Sequence, residues 1–145
     1  MRCGDVMTSP VSVCTELLSV QACAEIMRDE NIGFMPVLDA VQQVVGVVTD
    51  RDLATRVLAG DLAPTALVGE VMTRDVRVCH PGDDLEVAEA HMASAMKSRL
   101  VVVDADGSCV GVISLTDIAQ ADTGSRAGKV LRAVTRRESA PFALP

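Results

Sequence analysis

The sequence predicts an α/β fold made of two copies of one β-α-β-β-α unit, and three observations lead to this prediction. The chain matches itself without a gap when it is shifted by 65 residues. Each copy shows strand-like alternation and helix-like spacing in the same order. Turn and helix-capping residues recur at matching points. Because a copy of about 55 residues buries little surface alone, we expect the two copies to pack together as one module.

The internal match starts at residue 4 and continues to residue 54 of the first copy. The letters GDVMT at 4–8 fall on GEVMT at 69–73, and VLDA at 37–40 falls on VVDA at 102–105. Further on, GV at 46–47 falls on GV at 111–112, and DLA at 52–54 falls on DIA at 117–119. An ungapped match of this length indicates a duplication.

Both copies predict the same order of elements. Alternating valines at Val11 and Val13, and at Val76 and Val78, predict a half-buried strand at the start of each copy. Apolar residues at helical spacing predict helices near 18–30 and 84–97. Strands follow at 35–38 and 44–48, with counterparts at 100–103 and 110–113, and the second pair is joined by an Asp-Gly turn. The last helix of each copy is expected to begin at Thr49 or Ser114, because both residues are favoured N-caps.

Composition and charge exclude several classes of protein. The chain has no Trp or Tyr and only Phe34 and Phe142, so aromatic stacking cannot support single-strand nucleic-acid binding. The net charge is −7, with 19 acidic against 8 basic residues in 1–123 and 5 basic against 1 acidic residue in 124–145. An acidic body repels a phosphate backbone. We therefore expect no nucleic-acid partner.

Cysteine, histidine and hydropathy patterns argue against metal, catalytic and membrane roles. The five cysteines are odd in number and form no C-x-x-C pair, which is typical of small buried residues in a reducing cytoplasm. The only histidines, His80 and His91, lack the partners of a zinc site or a general base. From these patterns we expect a protein that is not an enzyme and holds no metal. The sequence shows no leader and no 18-residue apolar run, so we expect it to be cytoplasmic.

The order and duplication of these segments resemble a cystathionine-β-synthase-type (CBS) domain pair. The resemblance spans residues 4 to about 122 and is carried by GDVMTSPVSV, IGFMPVLDA and GVVTDRDLA, then by GEVMTRDVRV, SRLVVVDADG and GVISLTDIA. It implies tandem repeats with pseudo-twofold symmetry (a Bateman module) and a homodimer. The chain is similar to stand-alone bacterial CBS-pair proteins, and its tail to small stress- or hypoxia-associated members. We divide it into repeats at 1–65 and 66–123, followed by a basic helix and disordered end at 124–145.

The end of each copy carries the clearest candidate for ligand chemistry. In the first copy a strand ends near Gly46 and a helix starts at once, which leaves free backbone N–H groups that suit phosphate. Thr49 offers a hydroxyl, Arg51 a guanidinium that can fork onto phosphate, and Asp52 two acceptors for a ribose diol. The second copy offers Ser114, Thr116 and Asp117 in the same places, with Arg99 as the nearby cation. Helix capping alone is the competing interpretation of this motif.

The resemblance implies the same assignment and adds a wall for the adenine base. In CBS pairs the Ser/Thr and Asp of this motif hold the phosphate and ribose of an adenine nucleotide, in clefts between the copies. Small apolar residues of the opening strand and hairpin enclose the base. Carried over, that wall consists of Thr8, Val11, Met35 and Pro36, and of Thr73, Val76, Leu100 and Val101. The sequence leaves open which opening strand serves which aspartate.

Our leading hypothesis is a regulatory module that senses AMP, ADP, ATP or another adenosyl compound, needs no cofactor and acts on an unknown protein partner. The alternatives are a ligand-independent dimerisation scaffold and a thiol-responsive stress protein that uses Cys3 or Cys14. The basic tail is interpreted either as a closing helix packed on the body or as a docking element for an acidic partner. Helical spacing would place Ala127, Val130, Leu131 and Val134 on one apolar side of it.

Overall fold

The computed structural model describes residues 1–121 and 126–137, and these form two compact units. The first-repeat unit consists of Val11–Val76 with Asp106–Cys109. The second-repeat unit consists of Met1–Pro10, Arg77–Ala105 and the described residues within 110–121 and 126–137. Each unit therefore combines the body of one repeat with the opening residues of the other. The predicted disorder of residues 138–145 lies outside the described residues.

The first-repeat unit contains a three-stranded sheet in the order β1-β2-β3. Strands β1 and β2 are parallel, with Cys14 opposite Val37, and β2 and β3 are antiparallel, with Met35 opposite Val48. The helix α2 connects β1 to β2, and Ser19 caps it by accepting a hydrogen bond from the Ala22 N–H at 3.1 Å. The bounds are β1 Cys14–Thr15, α2 Val20–Glu30, β2 Phe34–Leu38 and β3 Val44–Thr49.

The second-repeat unit has the same arrangement, with a sheet in the order β4-β5-β6 and parallel pairing of β4 with β5. The predicted Asp-Gly turn is confirmed, since Gly107 has a φ of +82° that favours glycine. The bounds are β4 Val78–Cys79, α5 Leu85–Ala95, β5 Arg99–Val103, β6 Cys109–Ser114, α6 Leu115–Ala121 and α7 Arg126–Val134, followed by a 3-10 turn at Thr135–Arg137. The mixed α/β fold with two matching repeats is thus confirmed.

Three local features differ from the sequence expectations. The opening strands are only two residues long, so Val11, Val13 and Val76 precede them. The matching GDVMT and GEVMT segments begin in short helices, which are too short to show a period in the sequence. The closing segment of the first repeat starts as a helical turn and continues as a π-helix, whereas α6 is an α-helix. The bounds are α1 Cys3–Val6, α3 Asp50–Asp52, π-helix Leu53–Leu58 and α4 Val68–Val71.

Aliphatic, methionine and cysteine side chains build both cores. In the first-repeat unit the core is formed by Cys14, Cys23, Met27, Met35, Val37, Val48, Val68 and Met72. In the second-repeat unit Val130 and Val134 of α7 join the core, so the closing helix packs on the body. Leu131 is 49% exposed, so the expectation that it shares one packed apolar side with Val130 and Val134 is wrong, and those two valines are the buried ones among the described side chains of α7. Ala127 has no described side chain.

Candidate functional site

The opening segment of the second repeat, residues 69–73, lies against strand β3 of the first repeat. Thr73 and Val47 exchange two backbone hydrogen bonds, with N–O distances of 2.8 and 2.9 Å. This approach needs a glycine beside Val47. A Cβ on Gly46 would lie 2.7 Å from the Met72 Sδ and 2.9 Å from the Thr73 carbonyl oxygen. The glycine of the closing motif therefore makes room for the opening segment of the other repeat.

The second-repeat unit repeats this contact with the opening segment of the first repeat, residues 4–8. Thr8 and Val112 exchange backbone hydrogen bonds of 2.8 and 3.1 Å. A Cβ on Gly111 would lie 2.8 Å from both the Met7 Sδ and the Thr8 carbonyl oxygen. The question that the sequence left open is thereby answered: residues 69–73 accompany Asp52, and residues 4–8 accompany Asp117.

The Asp52 site is a cluster of Thr49, Asp52, Arg56 and Thr73. Thr49 Oγ1 accepts from the Asp52 N–H at 3.1 Å, and Asp52 Oδ2 accepts from the Thr49 N–H at 3.0 Å. This is a reciprocal capping box. The Thr73 hydroxyl donates to Asp52 Oδ1 at 3.2 Å, while its distance to Oδ2 is 3.3 Å. Asp52 is 7% exposed, so water has little access to its carboxylate oxygens.

Arg56 is the member of this site that the sequence analysis missed. Its Nη1 donates to the carbonyl oxygens of Val71 at 3.1 Å and Met72 at 3.0 Å. Its Nε lies 3.8 Å from Asp52 Oδ1. The position four residues after Asp52 could have drawn attention to it, since side chains at that spacing share a helix face. Its counterpart in the second repeat is Ala121.

The Asp117 site consists of Thr8, Ser114 and Asp117. The same capping box is present, because Ser114 Oγ accepts from the Asp117 N–H at 3.0 Å and Asp117 Oδ2 accepts from the Ser114 N–H at 2.8 Å. The Thr8 hydroxyl is 3.4 Å from Asp117 Oδ1, a longer contact than that of Thr73. Thr8 is exposed and Asp117 is half-buried, so this site is wetter than the Asp52 site.

An open cavity of about 420 Å³ adjoins the start of α6. It brings together three of the residues expected to contact a ligand, Arg99, Ser114 and Thr116, and Leu131 of α7 contributes to its wall. Asp117 is not among its lining residues. The full lining is Ser98, Arg99, Ser114, Leu115, Thr116, Ala119, Gln120 and Leu131.

The residues expected to enclose a base are mostly covered. Met35 and Pro36 of β2 and Leu100 and Val101 of β5 are all less than 2% exposed, so they contribute to the interior. The valines of the opening segments, Val11 and Val76, are half-buried, and Arg51 is exposed. Contact of these residues with a base or phosphate stays a prediction.

Four of the five cysteines are buried, and they form two neighbouring pairs. Burial raises the pKa of Cys79 to about 12 and also raises the pKa of Cys3, to which it is hydrogen-bonded. In the other unit, a hydrogen bond with Cys23 and burial raise the pKa of Cys14. A raised pKa keeps a thiol protonated and poorly reactive.

No group of three or more His, Cys, Asp or Glu side chains that could hold a metal ion occurs within residues 1–121 and 126–137. The imidazole of His80 is hydrogen-bonded to the Val103 carbonyl oxygen, which lies 2.9 Å from its Nδ1. Among the helices that the structure describes, none has the length and apolar character needed to cross a membrane.

The fold and the two glycine-to-aspartate motifs define a protein of paired β-α-β-β-α repeats. The CBS domain family matches residues 3–59 and 68–124, and the chain belongs to this family. It is 34% identical over 116 residues to the CBS domain-containing protein YhcV of Bacillus subtilis (strain 168), covering 79% of this chain and 81% of that protein.

Two solved structures similar to this chain contain adenosyl compounds. The CBS domain pair of protein MJ0100, in complex with 5-methylthioadenosine and S-adenosyl-L-methionine, has a TM-score of 0.75 and 26% identity, covering 83% of this chain and 98% of that one. CBSX2 in complex with AMP has a TM-score of 0.70 and 28% identity, covering 83% of this chain and 94% of that one.

Proposed function

We propose that this protein is a non-catalytic regulatory module that binds an adenosyl compound, with Asp52 as the acceptor for its ribose hydroxyls. The observation that carries this proposal is the buried carboxylate of Asp52, where Oδ2 serves the helix cap and Oδ1 meets the Thr73 hydroxyl. The AMP complex of CBSX2 and the adenosyl complex of MJ0100 support the class of ligand.

The chemistry of the Asp52 site suits the hydroxyl groups of a vicinal diol. A carboxylate oxygen has two lone pairs, so Oδ1 can accept from a ribose hydroxyl in addition to Thr73. Hydrogen bonds to an ionised acceptor are stronger than neutral ones, and at a site that is 7% exposed they compete with little water. The neighbouring Arg51 is exposed and would meet the phosphate of a nucleotide.

Regulation would follow from differential affinity. A ligand shifts an equilibrium between two packings only if it binds one of them more tightly. At the Asp52 site the ribose would contact both the end of β3 in the first repeat and the opening segment of the second. The ligand would therefore favour the packing in which these two segments are in contact. We propose that a homodimer in the bacterial cytoplasm, or an unidentified protein partner, responds to this change.

The test is thermal melting with AMP, ADP, ATP, NAD and S-adenosylmethionine on the wild-type chain, Asp52→Asn and Asp50→Asn. A ligand at 100 times its dissociation constant adds about 2.7 kcal/mol, which raises the melting temperature by several degrees. Asp52→Asn keeps an oxygen for the cap and removes the charged acceptor, so it should abolish most of the rise. Asp50→Asn removes an equal charge from an exposed side chain in the same turn and should leave the rise intact.

A rise that Asp52→Asn abolishes and Asp50→Asn preserves supports the proposal. The same rise in all three proteins would contradict the role of Asp52, and Asp117→Asn then tests the second site. If no compound raises the melting temperature, the two capping boxes account for both aspartates, and the protein is better described as a dimerisation scaffold.

A further inference from the structure

We infer that Arg56 is a positioning residue that fixes the opening segment of the second repeat and thereby gives the Asp52 site its selectivity for a ribose diol. The second half of this inference rests on the proposed function, whereas the first half is independent of it. No ligand contact is assigned to Arg56 itself. It acts on Thr73 through the backbone that precedes it.

The geometry of Arg56 is that of a helix C-cap supplied from elsewhere in the chain. Helix α4 ends at Val71, and the last carbonyl groups of any helix lack partners within it. One nitrogen of Arg56 donates to two of these oxygens, on Val71 and Met72, at 3.1 and 3.0 Å. Arginine side chains near a helix C-terminus commonly donate to carbonyl groups of this kind.

These contacts determine where Thr73 lies. Thr73 directly follows Met72, and its hydroxyl has to reach Asp52 at 3.2 Å. The Nε of Arg56 lies 3.8 Å from the same Asp52 oxygen, so one side chain is close to both partners. Arg56 therefore orders the acceptor and the hydroxyl together, before any ligand binds. A site ordered in advance loses less entropy when it binds and discriminates better between similar ligands.

The second repeat provides an internal comparison, because an alanine stands at the position that matches Arg56. The position that corresponds to Arg56 is Ala121, which has no donor for the carbonyl groups at the end of α1. There the hydroxyl contact, from Thr8 to Asp117, is longer at 3.4 Å. The presence of the arginine thus goes together with the shorter contact.

The first test measures amide hydrogen exchange in the protein without ligand. Arg56→Met keeps the aliphatic stem and removes the guanidinium, so exchange of the Thr73 amide, which is bonded to Val47, should become about tenfold faster. The Thr8 amide, bonded to Val112, should be unchanged. Arg28→Met removes an exposed arginine of the same unit and should affect neither amide. An unchanged Thr73 amide in Arg56→Met, or equal acceleration of both threonines, overturns the positioning role.

The second test compares AMP with 2′-deoxy-AMP by titration calorimetry. Wild-type protein should prefer AMP by about tenfold or more, as expected for a lost hydrogen bond to a charged acceptor. In Arg56→Met this preference should fall several-fold, and in Arg56→Lys, which retains a charged donor, it should recover in part. A merely structural role would lower stability and leave the ratio intact, which would refute the selectivity role. If wild type binds neither compound, the proposed function fails with AMP as the probe, while the exchange experiment still decides the role of Arg56.

Discussion

The two aspartates, Asp52 and Asp117, occupy matching positions, make the same helix cap and each meet a threonine, but they differ in burial and in the length of that contact. In both, Oδ2 accepts from the backbone N–H three residues earlier, at 3.0 and 2.8 Å. Asp52 is buried, contacts a threonine at 3.2 Å and has Arg56 beside it. Asp117 is half-buried and its threonine is 3.4 Å away. Duplication has preserved the cap and the backbone pairing of each opening segment, whereas the burial of the aspartate and the length of its threonine contact have diverged.

The helices after the two caps differ in a related way. After α3 the first repeat continues as a π-helix, and the Ala59 N–H bonds to the Ala54 carbonyl oxygen five residues back at 3.0 Å. Single π-turns inside helices are frequent at functional sites. The second repeat continues as the ordinary α-helix α6. Arg56 lies within the π-helical segment. The wider helical turn and the arginine that caps α4 are therefore found in the same repeat.

The largest effect should come from the feature that the two sites share. Gly46→Ala would place a Cβ 2.9 Å from the backbone oxygen of Thr73, and Gly111→Ala would place one 2.8 Å from that of Thr8. Backbone cannot move aside like a flexible side chain, so each variant should lose about 2 kcal/mol of unfolding free energy. Urea denaturation measures this, with Gly82→Ala as control because nothing lies within 4 Å of its Cβ position. A loss at Gly46 alone would show that the exposed opening segment at Gly111 can shift to accommodate a methyl group.

The next effect should separate the sites. Thr73→Val removes a hydroxyl that donates to a buried carboxylate and should cost about 1.5 kcal/mol, as is typical of hydrogen bonds to charged groups. Thr8→Val removes a longer contact from an exposed residue and should cost about 0.3 kcal/mol. Both replacements conserve shape, and urea midpoints measure them. Equal costs would contradict the view that only the Asp52 site is ordered in advance.

Much of the fold could be predicted because it depends on local pattern. The strand pairs and the helices α2 and α5 follow from alternation, helical spacing and turn residues, all of which lie within a few residues of one another. The opening segments were predicted only in part, because their strands exist but are shorter than expected and the helices before them were missed. Their short strands depend on pairing with β2 and β5, and the helices α1 and α4 are too short to show a period. Such elements are determined by distant partners.

The same distinction holds for the candidate sites. The capping boxes could be predicted because Thr49 and Asp52 are three residues apart. The contact of Thr73 with Asp52 joins residues 21 positions apart, and that of Thr8 with Asp117 joins residues 109 apart. The sequence identified all four residues and could not pair them. Arg56 was missed because its role depends on the carbonyl groups of α4, which no side-chain motif shows.

The pH dependence of stability tests the effect of burying a cysteine, by comparing buried Cys79 with half-buried Cys109. The pKa of Cys79 is raised by burial from 9.0 to about 12, so the unfolded chain releases this proton first and stability is lost as the pH rises from about 9 to about 12. By pH 10 this loss should be on the order of 1 kcal/mol. Cys79→Ala should flatten the decline, as measured by urea midpoints between pH 8 and pH 10. Cys109→Ala is the control, because Cys109 is only half-buried. A decline of equal slope in Cys79→Ala would assign it to other groups.

The smallest expected effect would make the second site resemble the first. Ala121→Arg supplies a guanidinium at the position that corresponds to Arg56, and we expect it to reach the carbonyl groups at the end of α1 as Arg56 reaches those of α4. A new C-cap and a favourable charge at a helix end contribute about 0.5 kcal/mol. The Thr8 amide should then exchange about twofold more slowly, and the Thr73 amide should be unchanged. Ala121→Lys, which adds the charge without the planar fork, should give less protection. If both substitutions leave Thr8 unaffected, the π-helical turn of the first repeat is itself needed to bring the arginine onto the carbonyl groups, and the divergence of the two sites lies in the backbone rather than in one side chain.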